Sequence, residues 1–257
     1  MSKNCKIAII VSVITLIALI VVLASAVFCV KKVSIVWYKT PSEAMNSVTN
    51  EQFLEKSGVA NSSVFLLDRE KAVANIEATY PDVRVINIEV VWPNVMKIHV
   101  AEREKVYALP IKNGKYAIVD EHFKVLEVLD FFASTKTNAV LINTDATKEL
   151  TAKRADTINI FGMTVWNNAY NAFLELERDL IDFRAIVAST TLTETTMTIN
   201  THMGVIIKLD KPFANTRAKM RMALKTFDLM TTEDYPNSII EVFVNEDGEL
   251  TSRIYKE

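Results

Sequence analysis

The chain has 257 residues, 29 of them basic and 31 acidic, with half apolar and only two cysteines. That length accommodates one membrane element and one or two domains of about 100–150 residues each. Four lysines and no acid fall in residues 1–32, so the remainder carries a net charge of −6, the opposite of a nucleic-acid footprint, and Cys5 and Cys29 leave it neither a disulfide framework nor a thiolate nucleophile.

From Ile7 to Val30 the chain runs 24 residues without a charge. A helix of that length reaches about 36 Å, enough to cross a hydrocarbon core of about 30 Å. Ala24-Ser25-Ala26 resembles a signal-peptidase site, yet the apolar run continues through Val27, Phe28 and Val30 and exceeds the usual hydrophobic region of a signal peptide. An uncleaved anchor over 7–30 is therefore expected, with residues 1–6 as a cytoplasmic tail. Lysines flank the run almost evenly, at Lys3 and Lys6 before it and Lys31 and Lys32 after it. Orientation then follows from the long soluble portion, which translocates largely regardless of charge.

Val33–Trp37 predicts a strand and Tyr38–Val48 a loop. Thr49-Asn50-Glu51-Gln52 has the capping-box pattern, opening a helix that should stop at Gly58. A second helix is expected from Asp68, with Val73, Ile76 and Tyr80 on one face and Pro81 as its stop. Then Ile86, Ile88, Val90 and Trp92 alternate with polar or outward residues, as do Met96, Ile98 and Val100 on the far side of Pro93-Asn94. Period two on both sides of a turn predicts a hairpin whose apolar residues face a core. Residues 33–102 thus read β-α-α-β-β, and Trp92, Pro93, Asn94 and Ile98 are its structural hairpin residues.

A second unit follows. Tyr107–Ile111 and Lys115–Val119 flank Asn113-Gly114, a strong hairpin signal. Val125–Leu129 and Ala139–Ile142 are further strands, and 167–181 a helix with Ala169, Phe173, Leu176 and Leu180 on one stripe. Arg184–Ser189, Thr196–Asn200 and Val205–Leu209 read as strands, and about 213–230 as a helix burying Met220, Leu224 and Phe227. Ser238–Val244 and Leu250–Tyr255 close the chain as a hairpin across Glu246-Asp247-Gly248. The class is α+β: one transmembrane helix, a β-α-α-β-β unit, and a mixed, mostly antiparallel β domain.

No catalytic, cofactor-binding or metal-binding residues emerge. Five glycines, four of them with turn or cap duties, cannot build a phosphate cradle. His99, His122 and His202 lack ligand spacing. A sortase-like enzyme needs an ectodomain cysteine, and a signal-peptidase-like one a Ser-Met-x-Pro stretch after the span; neither is present. Arg217, Arg221 and Lys225 form a basic stripe that reads first as a solvated face opposite Met220, Leu224 and Phe227, with contact to an anionic lipid or polymer as the alternative. Leu250–Tyr255 is expected at a sheet edge, which is either blunted by Arg253 and Lys256 or open to a partner's strand.

The order of parts resembles the FtsQ/DivIB family of bacterial cell-division proteins. The residues that carry the resemblance are Phe65-Leu66-Leu67-Asp68, Tyr80-Pro81-Asp82-Val83, Trp92-Pro93-Asn94, Ile98-His99-Val100, Glu102-Arg103 and Tyr116-Ala117-Ile118-Val119-Asp120. It covers about 33–126 by motif and the rest by topology. The resemblance implies a POTRA domain over 33–102 and a β domain over 103–257. It implies no catalysis and no cofactor. It implies a divisome scaffold that joins FtsL-like and DivIC/FtsB-like partners, couples to the septal peptidoglycan synthase, and sits in the cell membrane at the division septum with its ectodomain extracellular or periplasmic. It also implies strand addition late in the β domain: Leu250, Thr251, Arg253, Ile254 and Tyr255 occupy that place, with Ile239–Val244 as the pairing neighbour. The chain departs from the family in its short tail, in Trp37-Tyr38-Lys39-Thr40 where a glycine is usual after the first strand, and in Glu121-His122-Phe123-Lys124 where a turn glycine is usual. A POTRA-bearing adaptor of another envelope machine, for secretion or transport, is the alternative, and an anchored hydrolase is the reading from a different class.

Overall fold

The structure, a computed structural model, describes residues 11–19, 21, 22, 27–133, 137–160, 162–176 and 183–256, without the side chains of 172–176 and 183. It divides into two compact units, Met1–Arg103 and Glu104–Glu257. Residues 11–19, 21 and 22 are helical, and aliphatic chains such as Ile14, Leu16 and Val22 are exposed around that helix. Among the described residues no helix is long and apolar enough to cross a membrane. The expected tail at 1–6 and parts of the expected span, residues 7–10, 20 and 23–26, lie outside the described residues.

In the first unit β1 (Lys32–Trp37), β2 (Val83–Val91) and β3 (Val95–Glu102) form a sheet in the order β1-β3-β2. β1 runs parallel to β3, from Lys32 opposite Val95 to Trp37 opposite Val100, and β2 runs antiparallel to it. Three helices connect β1 to β2: α1 (Glu43–Asn46), α2 (Asn50–Ser57) and α3 (Arg69–Thr79). The first was expected as loop. Ser42 caps that single turn, accepting from Met45 N–H, and its own N–H is held by the Glu102 carboxylate at 2.7 Å. The capping box on α2 is present in both halves, Thr49 to Gln52 and back. Gly58 ends it at φ 71°, where a side chain would be strained and a Cβ would meet Asn75 Nδ2 at 2.9 Å. Asp68 caps α3 through the Lys71 N–H.

The core follows from the alternation on β3. Met96, Ile98 and Val100 are fully buried, packed with Phe53, Ala72, Ile76 and Ile88. Phe53 stacks on Tyr80 at 5.0 Å. On β2 the expected alternation fails at Ile86 and Trp92, both exposed. Val85 pairs with Val100 and Asn87 with His99, so Ile86 is the extra residue of a bulge and turns outward. Trp92 belongs to the turn, not the strand. Arg103 closes the unit: its guanidinium, nearly buried, donates to Glu77 Oε2 at 2.7 Å and to Val83 O at 3.2 Å, while Glu77 Oε1 accepts from Val85 N–H at 2.9 Å. One ion pair thereby ties α3 to β2.

The second unit is a nine-stranded sheet. Its strands are β4 (Tyr107–Pro110), β5 (Tyr116–Val119), β6 (Val125–Leu129), β7 (Val140–Asn143), β8 (Val187–Leu192), β9 (Thr196–Thr201), β10 (Ile206–Asp210), β11 (Ser238–Val244) and β12 (Leu250–Lys256). Their order is β12-β11-β10-β9-β8-β7-β4-β5-β6, with parallel pairs at β10/β11, β7/β8 and β4/β7 and antiparallel pairs elsewhere. The helices are α4 (Asp145–Lys148), α5 (Met163–Leu176), α6 (Phe183–Ile186) and α7 (Thr216–Asp228). The long pair, α5 and α7, pack together, and α7 lies on β10, β11 and β12. Trp166, Met220, Leu224 and Phe227 are buried there with Ile199, Ile207, Ile240 and Val242.

Several expected boundaries move. The expected helix over 167–181 starts at Met163; residues 177–181 and the side chains of Phe173 and Leu176 lie outside the description, while Ala169 is buried. The expected strand at Arg184–Ser189 begins only at Val187, because 183–186 form α6. Arg184 is held there by Lys105 O at 3.2 Å and Glu104 Oε2 at 3.5 Å. The expected helix from about 213 begins at Thr216. Within Glu121-His122-Phe123-Lys124, where the resemblance leads to the expectation of a turn glycine, Phe123 takes φ 60° with its ring fully buried against Tyr107 at 5.4 Å, and Asp120 Oδ1 accepts from the N–H groups of His122 and Lys124. Ring burial offsets the strain of a left-handed bulky residue.

Replacing Ile98 by Asp puts a charge in a site with no exposure, and it should abolish the cooperative thermal unfolding of the first unit, followed by circular dichroism on the full chain. Retained cooperative melting of that unit would refute the core assignment. Arg103→Ala leaves Glu77 half-enclosed without its partner and should lower stability by about 3 kcal/mol in urea unfolding, with Glu77→Leu/Arg103→Met recovering much of the loss.

Candidate partner-binding edge

β12 forms one end of the nine-stranded sheet, and among the described residues it pairs only inward, with β11. A Gly248-containing turn makes the pairing local: Gly248 N–H donates to Asn245 O at 3.0 Å, and Asn245 Oδ1 accepts from Glu249 N–H at 2.8 Å. The register then runs without a slip through seven pairs, from Val244 opposite Leu250 to Ser238 opposite Lys256. An unbulged edge of this length is a template for another strand unless something guards it.

The residues expected at the edge divide by face. Leu250 packs against the core, and Ser252, which the sequence did not single out, bonds Thr226 on α7 at 2.9 Å. Ile254 shares that face and is 49 % exposed. Thr251, Arg253 and Tyr255 alternate onto the other face, opposite Phe243, Glu241 and Ile239. Arg253 and Lys256 were the charges expected to blunt the edge; Lys256 is exposed at its last pair, opposite Ser238, whereas Arg253 is engaged. Its guanidinium instead reaches back across the pair, Nε to Glu241 Oε2 at 2.6 Å, and lies over the rings of Phe243 at 5.1 Å and Tyr255 at 5.6 Å. The Arg253 charge is thus turned inward and matched by an opposite charge, while Ile254 and Tyr255 stay accessible.

The other three sheet edges carry blocking contacts. At β6, Val125 exchanges backbone hydrogen bonds with Asp156 and Ala155, and the β5/β6 pairing slips at Ile118/Val119. At β2 the Ile86 bulge interrupts the edge. At β1 the Ile35 N–H is taken by Asn50 Oδ1 at 3.0 Å.

The remaining candidates fall elsewhere. Ile98 is core, whereas Trp92 and Pro93 are exposed at the turn and Asn94 O accepts from Lys31 N–H at 3.0 Å. Arg217, Arg221 and Lys225 are exposed on the outer side of α7. Between them Lys219 is buried, which the stripe reading missed; its Nζ donates to Asp210 O at 2.6 Å and Lys211 O at 2.9 Å, and burial lowers its pKa below the usual lysine range. His99 lies 3.5 Å from Glu89 and His122 3.4 Å from Glu121, one pair on the first unit and one on the second. Among the described residues no three His, Cys, Asp or Glu side chains come together as a metal site would require.

Residues 43–103 match the family model described as POTRA domain, FtsQ-type. This match supports the resemblance to FtsQ/DivIB, and it ends before the nine-stranded sheet begins. No curated protein matches the chain.

Proposed function

We propose that this chain, which carries an FtsQ-type POTRA domain, is a non-enzymatic scaffold of the bacterial divisome. Residues 7–30 hold it in the cell membrane with a short cytoplasmic tail at 1–6, and the POTRA domain over 33–102 and the β domain over 103–257 lie outside the membrane. The β12 edge receives an extended segment of an FtsL-like or DivIC/FtsB-like partner, main chain to main chain, while Ile254 and Tyr255 contribute apolar contacts. Through those partners the protein supports the septal peptidoglycan synthase.

The observation that carries this reading is the unbulged β12 edge with its Arg253 charge matched by Glu241. The exposed aliphatic surface of the helix over residues 11–19, too apolar to be left in water, supports the anchor.

A photo-crosslinking residue at Tyr255 of the full chain, expressed in dividing cells, should give an adduct with a small coiled-coil division protein. The same probe at Arg221, exposed on α7, should not. Adducts at Tyr255 with a secretion or transport component would move the assignment to a POTRA adaptor of that machine, and an adduct pattern identical at both positions would refute strand addition at β12.

A further inference from the structure

Residues 28–30, the last of the apolar stretch, are hydrogen-bonded into the first unit. Val30 N–H donates to Ser62 O and Asn61 N–H to Val30 O, both at 2.9 Å; Val64 N–H donates to Phe28 O at 2.9 Å, and Cys29 bridges Ser63 in antiparallel fashion. The backbone N–H groups of Lys31 and Lys32 donate to Asn94 O where β1 begins. The last residues of the apolar stretch are therefore part of the folded unit, stitched both to the 61–64 loop and to the β2–β3 turn.

At that seam stand three aromatic rings from three distant places in the sequence. Phe28 meets Phe65 at 5.5 Å and Trp92 at 5.5 Å, and Phe65 meets Trp92 at 5.2 Å. Phe28 packs against the unit's core, but the other two rings stand out from it. Phe65 is 64 % exposed and Trp92 58 %, with Leu66 beside them at 85 %. Val27 and Val91 extend the apolar surface, and Lys31 and Lys32 are exposed next to it. The 65–66 step and the Trp92 turn thus present apolar side chains beside Phe28, near the end of the apolar stretch.

We propose that this aromatic cluster is seated in the headgroup region of the bilayer, so that the first unit stands on the membrane with Phe65, Leu66 and Trp92 dipped into it and Lys31 and Lys32 against anionic lipid. The occupant follows from chain continuity. Phe28 is both the end of the apolar stretch and a member of the cluster, so any membrane that holds the stretch holds the cluster at its surface. The amphipathic ring of Trp92 belongs at that depth, the phenyl rings and Leu66 reach toward the acyl chains, and lysines beside them find negative headgroups. Seating the unit in this way fixes its orientation to the membrane, because three contacts far apart in sequence cannot all stay at the interface if the unit tilts away.

The proposal rests on the anchor reading above, and the test separates the two. The full chain is reconstituted in vesicles of phosphatidylethanolamine and phosphatidylglycerol, plain or with bromine on the acyl chains close to the headgroup. The Trp92 signal is the difference in emission between the unaltered chain and Trp92→Phe, which leaves Trp37 and Trp166. A second probe, Leu66→Trp in the Trp92→Phe chain, reports the patch from a position whose exposure makes a folding defect minor. Loss of most of the Trp92 and Leu66→Trp emission in brominated vesicles is the expected result. If that emission is unchanged while the chain resists extraction by alkaline carbonate, the anchor stands and the seating is wrong, which assigns the patch to protein contact instead. Release of the chain by carbonate would overturn the anchor and the seating together.

Discussion

The parallel pairing of β1 with β3 is the constraint on which the first unit depends. β1 is built from the residues that immediately follow the apolar stretch, and it makes β3 a central strand rather than an edge. Only then are Met96, Ile98 and Val100 covered by the helices with β1 and β2 on either side. A parallel partner must arrive by a crossover, and α1, α2 and α3 supply it. Their caps at Ser42, Thr49 and Asp68 fix where each turn of that crossover starts, and Arg103 bound to Glu77 locks its last helix to β2. The residues that enter the fold from the apolar side thus set the geometry of the rest of the unit.

Sheet edges decide what the protein can offer to others. A sheet that must stay monomeric protects its edges, and here three of four are protected by different means: a backbone loop beside β6, a bulge in β2 and a side-chain amide on β1. At β12 one of the two cations that could guard the edge, Arg253, is engaged with Glu241 and two aromatic rings, which leaves Lys256 at its end. If a partner strand is added as proposed, one receptive edge among the described residues would give that addition a direction, with β11 as the neighbour that sets its register. The match to the FtsQ-type POTRA domain lies in the other unit, apart from the β12 edge.

Much of this was legible from residue order. Thr49 with Gln52, Gly58, Asp68, Asn113-Gly114 and Gly248 announced their caps and turns because those conformations demand particular side chains. The alternation on β3 was equally plain. What was hidden depended on tertiary choices. The bulge at Ile86 leaves no local mark, because an isoleucine suits either face of a strand and only pairing with Val100 and His99 exposes the extra residue. Residues 183–186 look strand-like, yet Arg184 finds its partners near residue 104, some eighty positions away. Lys219 reads as one more cation on a basic helix until the strand-end carbonyls of Asp210 and Lys211 surround it. At the edge, the position of Leu250–Tyr255 could be read, but the engagement of Arg253 by Glu241 required the register of two strands.

That a chain of this build works at the division site is tested most directly by imaging. The full chain, tagged at its N-terminus, is followed through the cell cycle in growing bacteria. A band at midcell that forms with constriction is the result a divisome scaffold requires. Uniform envelope fluorescence from birth to separation would contradict it, and the POTRA domain would then serve another envelope machine.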